Sequence, residues 1–113
     1  MGNPFTLQQH FITGFDSTSM PDRNTDLFQA TNHNERYQYD LALVKKLCIE
    51  RIRYSIGGHY VYATPGGKPD WSRIDGPLAT LQALGLRPIV DLVHHTSAPV
   101  SILGQEFLAS PNL

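Results

Sequence analysis

The chain has 113 residues, 41% of them hydrophobic, with nine Lys and Arg against ten Asp and Glu and a formal net charge of -1. Such a composition belongs to a soluble globular protein with one modest core and excludes a disordered or polyelectrolyte chain. No block of like charge exists to grip nucleic acid or an anionic membrane surface, and no segment is long and apolar enough to span a bilayer.

Residues 1–10 read as an amino-terminal extension. Met1-Gly2-Asn3-Pro4-Phe5 lacks the basic region and apolar run of a secretory leader, and only Thr6 fits an acylation pattern, so the expectation is a cytoplasmic protein. The partial barrel is expected over 11–113. A first apolar strand near 11–16 ends in the polar run Asp16-Ser17-Thr18-Ser19, and Gly14 inside it marks a close approach of backbone or ligand. Residues 20–33 are rich in Pro, Asp, Asn and Thr without a period and read as a long loop.

A helix is expected near 34–49, capped by Asn32 or Asn34 and led by Glu35. Its apolar stripe is Tyr37, Leu41, Val44 and Cys48, widened by Leu47. Cys48, the only cysteine, is thus expected to pack as a small hydrophobe, and no intrachain disulfide or cysteine-rich metal site can form. A second strand near 51–57 alternates: Ile52, Tyr54 and Ile56 on one face, Arg53 and Ser55 on the other. A cation on a strand normally buried on both faces needs a carboxylate or a ligand oxygen, which makes Arg53 a candidate site residue.

The connector from Tyr60 to Trp71 is rich in turn residues, and its Gly67-Lys68 is not a phosphate loop. Tyr62 stands where the leading glycine belongs, and Pro69 where a Ser or Thr belongs. Gly57-Gly58 does not fit the dinucleotide pattern either, so no cofactor is expected. A second helix is expected near 75–85, with Pro77 as its first residue, a stripe of Leu78, Leu81 and Leu84, and Gly85 as its left-handed end. Arg87-Pro88 then leads into a third strand near 88–94, whose apolar body exits into His94-His95-Thr96-Ser97.

Strand, helix, strand, helix, strand implies parallel pairing through right-handed crossovers. Strand starts recur near 11, 51 and 87, a spacing somewhat longer than the ~31 residues per unit of an eight-unit barrel, which suits inserted loops. Three such strands leave edges unpaired and a face uncovered. The fold class expected is α/β, the first three βα units of a truncated (β/α)8 TIM barrel, with the remaining barrel sequence on the carboxyl side as its partner. A small doubly wound domain is the rival architecture.

Several short runs carry a family resemblance: Asp16-Ser17-Thr18-Ser19, Ala30-Thr31-Asn32-His33-Asn34-Glu35-Arg36 with Asp40, Ile52-Arg53, Pro69-Asp70-Trp71-Ser72 and Asp91-Leu92-Val93-His94. Together they resemble the amino-terminal third of family 1-like glycoside hydrolases, nearest to glycosidase-like domains of the kind fused to a nucleotide-sugar reductase. The resemblance implies a retaining, β-glucosidase-like barrel acting on a carbohydrate or glycoside. It places Arg53 at the end of strand two beside the nucleophile and His94 at the end of strand three on the sugar. The acid/base and nucleophilic Glu residues would follow strands four and seven, outside this chain. Retaining hydrolysis needs two carboxyl groups about 5–5.5 Å apart in opposite protonation states, and Asp16 and Asp91 are not assigned those roles. His95 stands where many members have an aromatic residue, and Asp16 with its hydroxyl neighbours stands where they offer a Gln, so sugar specificity stays open.

The expected substrate contacts are therefore Arg53, His94 and Asp16, with His95, Ser55 and Asp91 in support. Adjacent strand residues point to opposite faces, so His94 and His95 cannot chelate one metal, and no metal site is expected. His10, His33 and His59 read as loop residues. The isolated chain would lack both catalytic carboxylates. Two alternatives stand beside the hydrolase: a non-catalytic carbohydrate-binding or regulatory barrel, and a small α/β interaction module that associates to cover its sheet.

Overall fold

In the computed structural model, residues 11–64, 66–95 and 97 are described; His10, the Thr96 position and everything from 98 onward lie outside them. Three parallel strands make the sheet: β1 (Ile12–Phe15), β4 (Arg51–Ser55) and β5 (Arg87–Asp91), in the order β1-β4-β5. Gly14 is paired with Arg53 across the first ladder, and Ser55 with Asp91 across the second. β1 and β4 are joined through a helix α2 (His33–Lys46), and β4 and β5 through a helix α4 (Ser72–Ala83).

Alternation along β4 sorts the residues between two faces. Ile52 and Tyr54 enter a core shared with Leu41 and Val44 of α2, Ile74 and Leu81 of α4, and Leu86. Arg53 points the other way, and by register so do Gly14, Ile89 and Asp91. No helix covers that second face among the described residues, and Ile12 and Ile89 are about half exposed. Arg53 is accordingly an exposed cation rather than a buried one, its side chain 47% accessible.

Residues 20–33 are not one loop. Ser19–Met20 (β2) pairs antiparallel with Thr25–Asp26 (β3) around a 3-10 turn at Pro21–Arg23, and Leu27–Ala30 forms a short helix α1. Asp26 caps α1 by accepting from the Phe28 and Gln29 amides at 2.9 and 3.2 Å. Elements of two to four residues are too short to print a period, so the segment looks featureless in sequence.

Both long helices depart from expectation at an end. α2 stops at Lys46, leaving Leu47 68% exposed and Cys48 exposed beyond the helix in a left-handed conformation (φ 59°). The core stripe therefore ends at Val44. α4 begins at Ser72, three residues early, because the Asp70 carboxylate accepts the Ser72 amide (2.9 Å) and the Trp71 carbonyl accepts from Ile74 and Asp75. Pro77 is thus inside the helix, where it denies the Arg73 carbonyl its usual donor. The buried stripe is Ile74, Pro77 and Leu81, with Leu78 about one-third exposed. Gly85 ends the helix at φ 70°, as expected.

β5 ends at Asp91, short of the expected residue 94. His94 instead forms a one-residue bridge with Ser97, whose amide donates to the His94 carbonyl at 2.9 Å. His94 and His95 therefore do not alternate across a strand. No helix among the described residues is long and apolar enough to cross a membrane.

Candidate active site at the carboxyl ends of the strands

The carboxyl ends of β1, β4 and β5 bring together residues from far apart in sequence. Asp16 leaves β1 on the same face as Arg53, and Gly14 makes that approach possible. A Cβ at Gly14 would meet the Arg53 carbonyl at 3.2 Å and its Cβ at 3.3 Å. The guanidinium engages Asp16 as a fork, with Nε donating to Oδ1 at 3.0 Å and Nη2 to Oδ2 at 2.5 Å. These bonds and the carboxylate charge raise the Arg53 pKa further, so the cation is permanent.

His94 closes the other side. Its Nδ1 is 3.0 Å from Asp91 Oδ2, and its Nε2 is 3.8 Å from Asp16 Oδ2. Ser55, buried beneath, donates a longer bond to Asp91 at 3.4 Å. The result is a small polar rim of one fixed cation, two carboxylates and an imidazole, partly open to solvent. It offers donors and acceptors side by side, as neighbouring hydroxyl groups require. Arg53, His94, Asp16, Ser55 and Asp91 are brought together. His95 is not: its backbone is left-handed (φ 52°), its side chain is exposed, and its ring meets that of His94 edge-on at 4.5 Å.

Asp16, Asp91 and His94 each present an atom within 4.8 Å of the other two, a donor set suited to a divalent cation. Both Asp16 oxygens already hold the Arg53 guanidinium, however, so the cation of this cluster is the protein's own.

Behind the rim lie two further histidines that the sequence reading left in loops. His33, 2% exposed, donates or accepts at both nitrogens, to Asp40 Oδ2 (2.8 Å) and the Tyr54 hydroxyl (2.8 Å). Its ring stacks on Phe15 at 4.4 Å and tilts against Phe28 at 4.9 Å. Burial, and then the Asp40 charge, push the Tyr54 hydroxyl well above its ordinary pKa, so it stays protonated. His59 sits in a short helix α3 (Gly58–Val61), bonded to Ser97 Oγ at 2.7 Å and Asp26 Oδ2 at 2.6 Å. Tyr60 donates to the same Asp26 oxygen. Burial opposes ionisation of Asp26, but the bonds from Tyr60 and His59 outweigh it and hold the carboxyl below its ordinary value. Asp26 ahead of Leu27 is an N-cap signal that sequence could have supplied; Ser17, Ser97 and His59 carry none.

Comparison with known proteins matches this arrangement to part of a larger barrel. No family model and no curated protein sequence matches the chain. Among solved structures, the AHE enzyme from Alicyclobacillus herbarius superposes with a TM-score of 0.59 and 27% identity, over 72% of this chain and 19% of that one. The family 1 β-glucosidase from Thermotoga maritima gives 0.57 and 23%, over 70% and 18%. A rice β-glucosidase gives 0.57 and 23%, over 67% and 16%. The chain spans about a fifth of the length of the solved structures it matches. Three parallel strands, their crossover helices and a polar rim at the carboxyl ends thus have the fold of a segment of a family 1 β-glucosidase TIM barrel.

Proposed function

We propose that the chain is the sugar-gripping part of a retaining, β-glucosidase-like glycoside hydrolase. The observation that carries this reading is the convergence of Asp16 just past β1, Arg53 of β4 and His94 three residues past β5, at the end of the sheet where barrel enzymes keep their sites. Arg53 offers fixed donors, Asp16 and Asp91 offer acceptors, and His94 supplies either role. Neighbouring sugar hydroxyls need that mixture.

Bond cleavage itself is assigned elsewhere. One oxygen of Asp16 and one of Asp91 lie within 4.8 Å, close to the spacing of a retaining pair. Yet Asp16 is occupied at both oxygens by Arg53, and Asp91 is engaged by His94 and Ser55. Of the three Glu residues, Glu35 and Glu50 are exposed, on α2 and ahead of β4, away from the carboxyl ends of the strands, and Glu106 lies outside the described residues. The acid/base and the nucleophile are therefore proposed to come from barrel sequence beyond this chain, and the 113-residue chain alone is predicted not to turn over.

Titration of the chain with azafagomine, a ligand named with one Thermotoga maritima β-glucosidase structure, tests the reading by NMR. Saturable shifts of the Arg53 Nε–H and His94 ring signals are expected, without hydrolysis of an aryl β-glucoside. Absence of shifts at millimolar ligand overturns the sugar site. Robust aryl glucoside hydrolysis by the chain overturns the division of labour.

A further inference from the structure

The β1 and β5 exits diverge in sequence by some eighty residues but are joined behind the rim by a buried hydrogen-bonded relay. Ser17 follows Asp16, and its hydroxyl lies 2.8 Å from that of Ser97; both serines are 1% exposed. Ser97 in turn holds the His94 carbonyl through its amide. The partner that ties this pair to the rest of the fold is His59, which reaches Ser97 Oγ with Nδ1 and Asp26 with Nε2.

Local structure aims His59 there. Gly57 turns the chain after β4 with φ 70°, and a Cβ on it would fall 2.6 Å from the Tyr60 ring, so only glycine lets α3 fold back so tightly. Asp26, anchored on its other oxygen by the α1 amides, is a fixed acceptor for His59 Nε2–H. With that nitrogen donating, a neutral ring accepts at Nδ1 from Ser97, and Ser97 Oγ accepts from Ser17. Every link has a partner, and no buried side-chain polar atom among the described residues is left without one.

Serine, imidazole and carboxylate in series have the connectivity of a nucleophile, its base and an orienting acid. A buried Ser97 hydroxyl already bonded to Ser17 has no room for an electrophile, so the relay does not act as a nucleophile. We propose instead that His59 is a positioning residue for the rim: anchored on Asp26, it holds Ser97 and through it Ser17, fixing the two exits that carry His94 and Asp16. The inference rests on the carbohydrate reading for what the rim grips, whereas the placement of the two exits needs no ligand.

The test uses the full 113-residue chain. An Asn amide can take the place of imidazole Nδ1, and a Gln amide that of Nε2, so H59N keeps the Ser97 bond and H59Q keeps only the Asp26 bond. Two readouts are taken: the NOE between the Ser17 and Ser97 β-protons in the free protein, and azafagomine affinity. H59F and H59Q should lose the NOE, shift the Asp16 and His94 signals and weaken affinity about tenfold, as loss of one buried hydrogen bond converts. H59N should stay within a few-fold of the parent. Should H59F fail to fold, S97A removes the same link without added volume and must reproduce the H59Q effects.

Equal behaviour of H59N and H59Q, or an intact NOE with unmoved Asp16 and His94 signals in H59F or S97A, overturns the positioning role. If the parent chain does not bind azafagomine, the carbohydrate reading fails. The NOE and the free-protein signals then still decide the relay.

Discussion

His33 and His94 are built from the same parts, an imidazole between an Asp and a second polar group, yet one is fully buried and the other partly open to solvent. His33 is 2% exposed, saturated by Asp40 and Tyr54 and enclosed by Phe15 and Phe28. His94 is partly open, bonded at Nδ1 to Asp91, with Nε2 at only 3.8 Å from Asp16. The same side chain thus locks α2 to the sheet in one place, while in the other its second nitrogen has no hydrogen-bond partner among the described residues. What separates the buried histidine from the proposed ligand contact is whether the second nitrogen is spent on the protein.

The largest expected effect breaks the first of these. H33L removes the partner of a nearly buried tyrosine hydroxyl and of Asp40, and should cost about 3 kcal/mol or leave the chain unfolded. Urea denaturation measures it, with no need of ligand. R53M is the converse change. Its pair with Asp16 is solvent-exposed, so the urea midpoint should barely move, while azafagomine binding should be lost. A midpoint that falls as far for R53M as for H33L would show the rim to be part of the core, and the contrast would collapse.

Titration sharpens the same comparison through the groups behind the rim. Burial, followed by the bond to Asp26, pushes the Tyr60 hydroxyl up to about 12, and burial raises Tyr54 further. A raised folded-state pKa contributes stability that is complete below the unfolded value near 10 and drains away as pH rises through the folded one. Asp26 runs the other way. Its depressed value contributes above about 3.8, and that contribution is lost as pH falls through the lower folded value. Thermal melts should therefore show a plateau flanked by an acid and an alkaline decline. Y60F should weaken both flanks, since it removes the alkaline titration and one donor to Asp26; a profile unchanged by Y60F would disconnect Asp26 from the fold's acid stability.

Sequence made the sheet and the residues of the rim legible, but not the networks behind it. Alternation put Ile52 and Tyr54 opposite Arg53, and the apolar runs with polar exits located all three parallel strands. Arg53 stood out as a cation on the second strand, and the family resemblance added Asp16 and His94 at the exits of the first and third strands. His33 was hidden for a different reason. Its role depends on Tyr54, twenty-one residues away, and on Asp40, two turns along α2, and neither spacing forms a local pattern. His59 was hidden more deeply still, since Asp26 and Ser97 lie over thirty residues to either side. The α4 start was readable from Asp70 as a cap, but Pro77 gave the stronger local signal and drew the boundary three residues late.

The smallest effect concerns Cys48, which helical spacing assigned to the core. The helix stops two residues earlier, and Cys48 takes the left-handed conformation of a chain turning back toward β4, its thiol exposed and 4.0 Å from the Lys46 carbonyl. A side chain with a Cβ is strained there by about 1 kcal/mol, and glycine relieves the strain at the expense of greater freedom in the unfolded chain. C48G should therefore raise stability by at most about 0.5 kcal/mol, read as a slightly higher urea midpoint at unchanged slope. A core cysteine would give the opposite sign, because truncating it would leave a cavity. Since Cys48 touches neither histidine network, C48G should leave azafagomine affinity unchanged, which would show that stability and ligand binding respond separately in this fold.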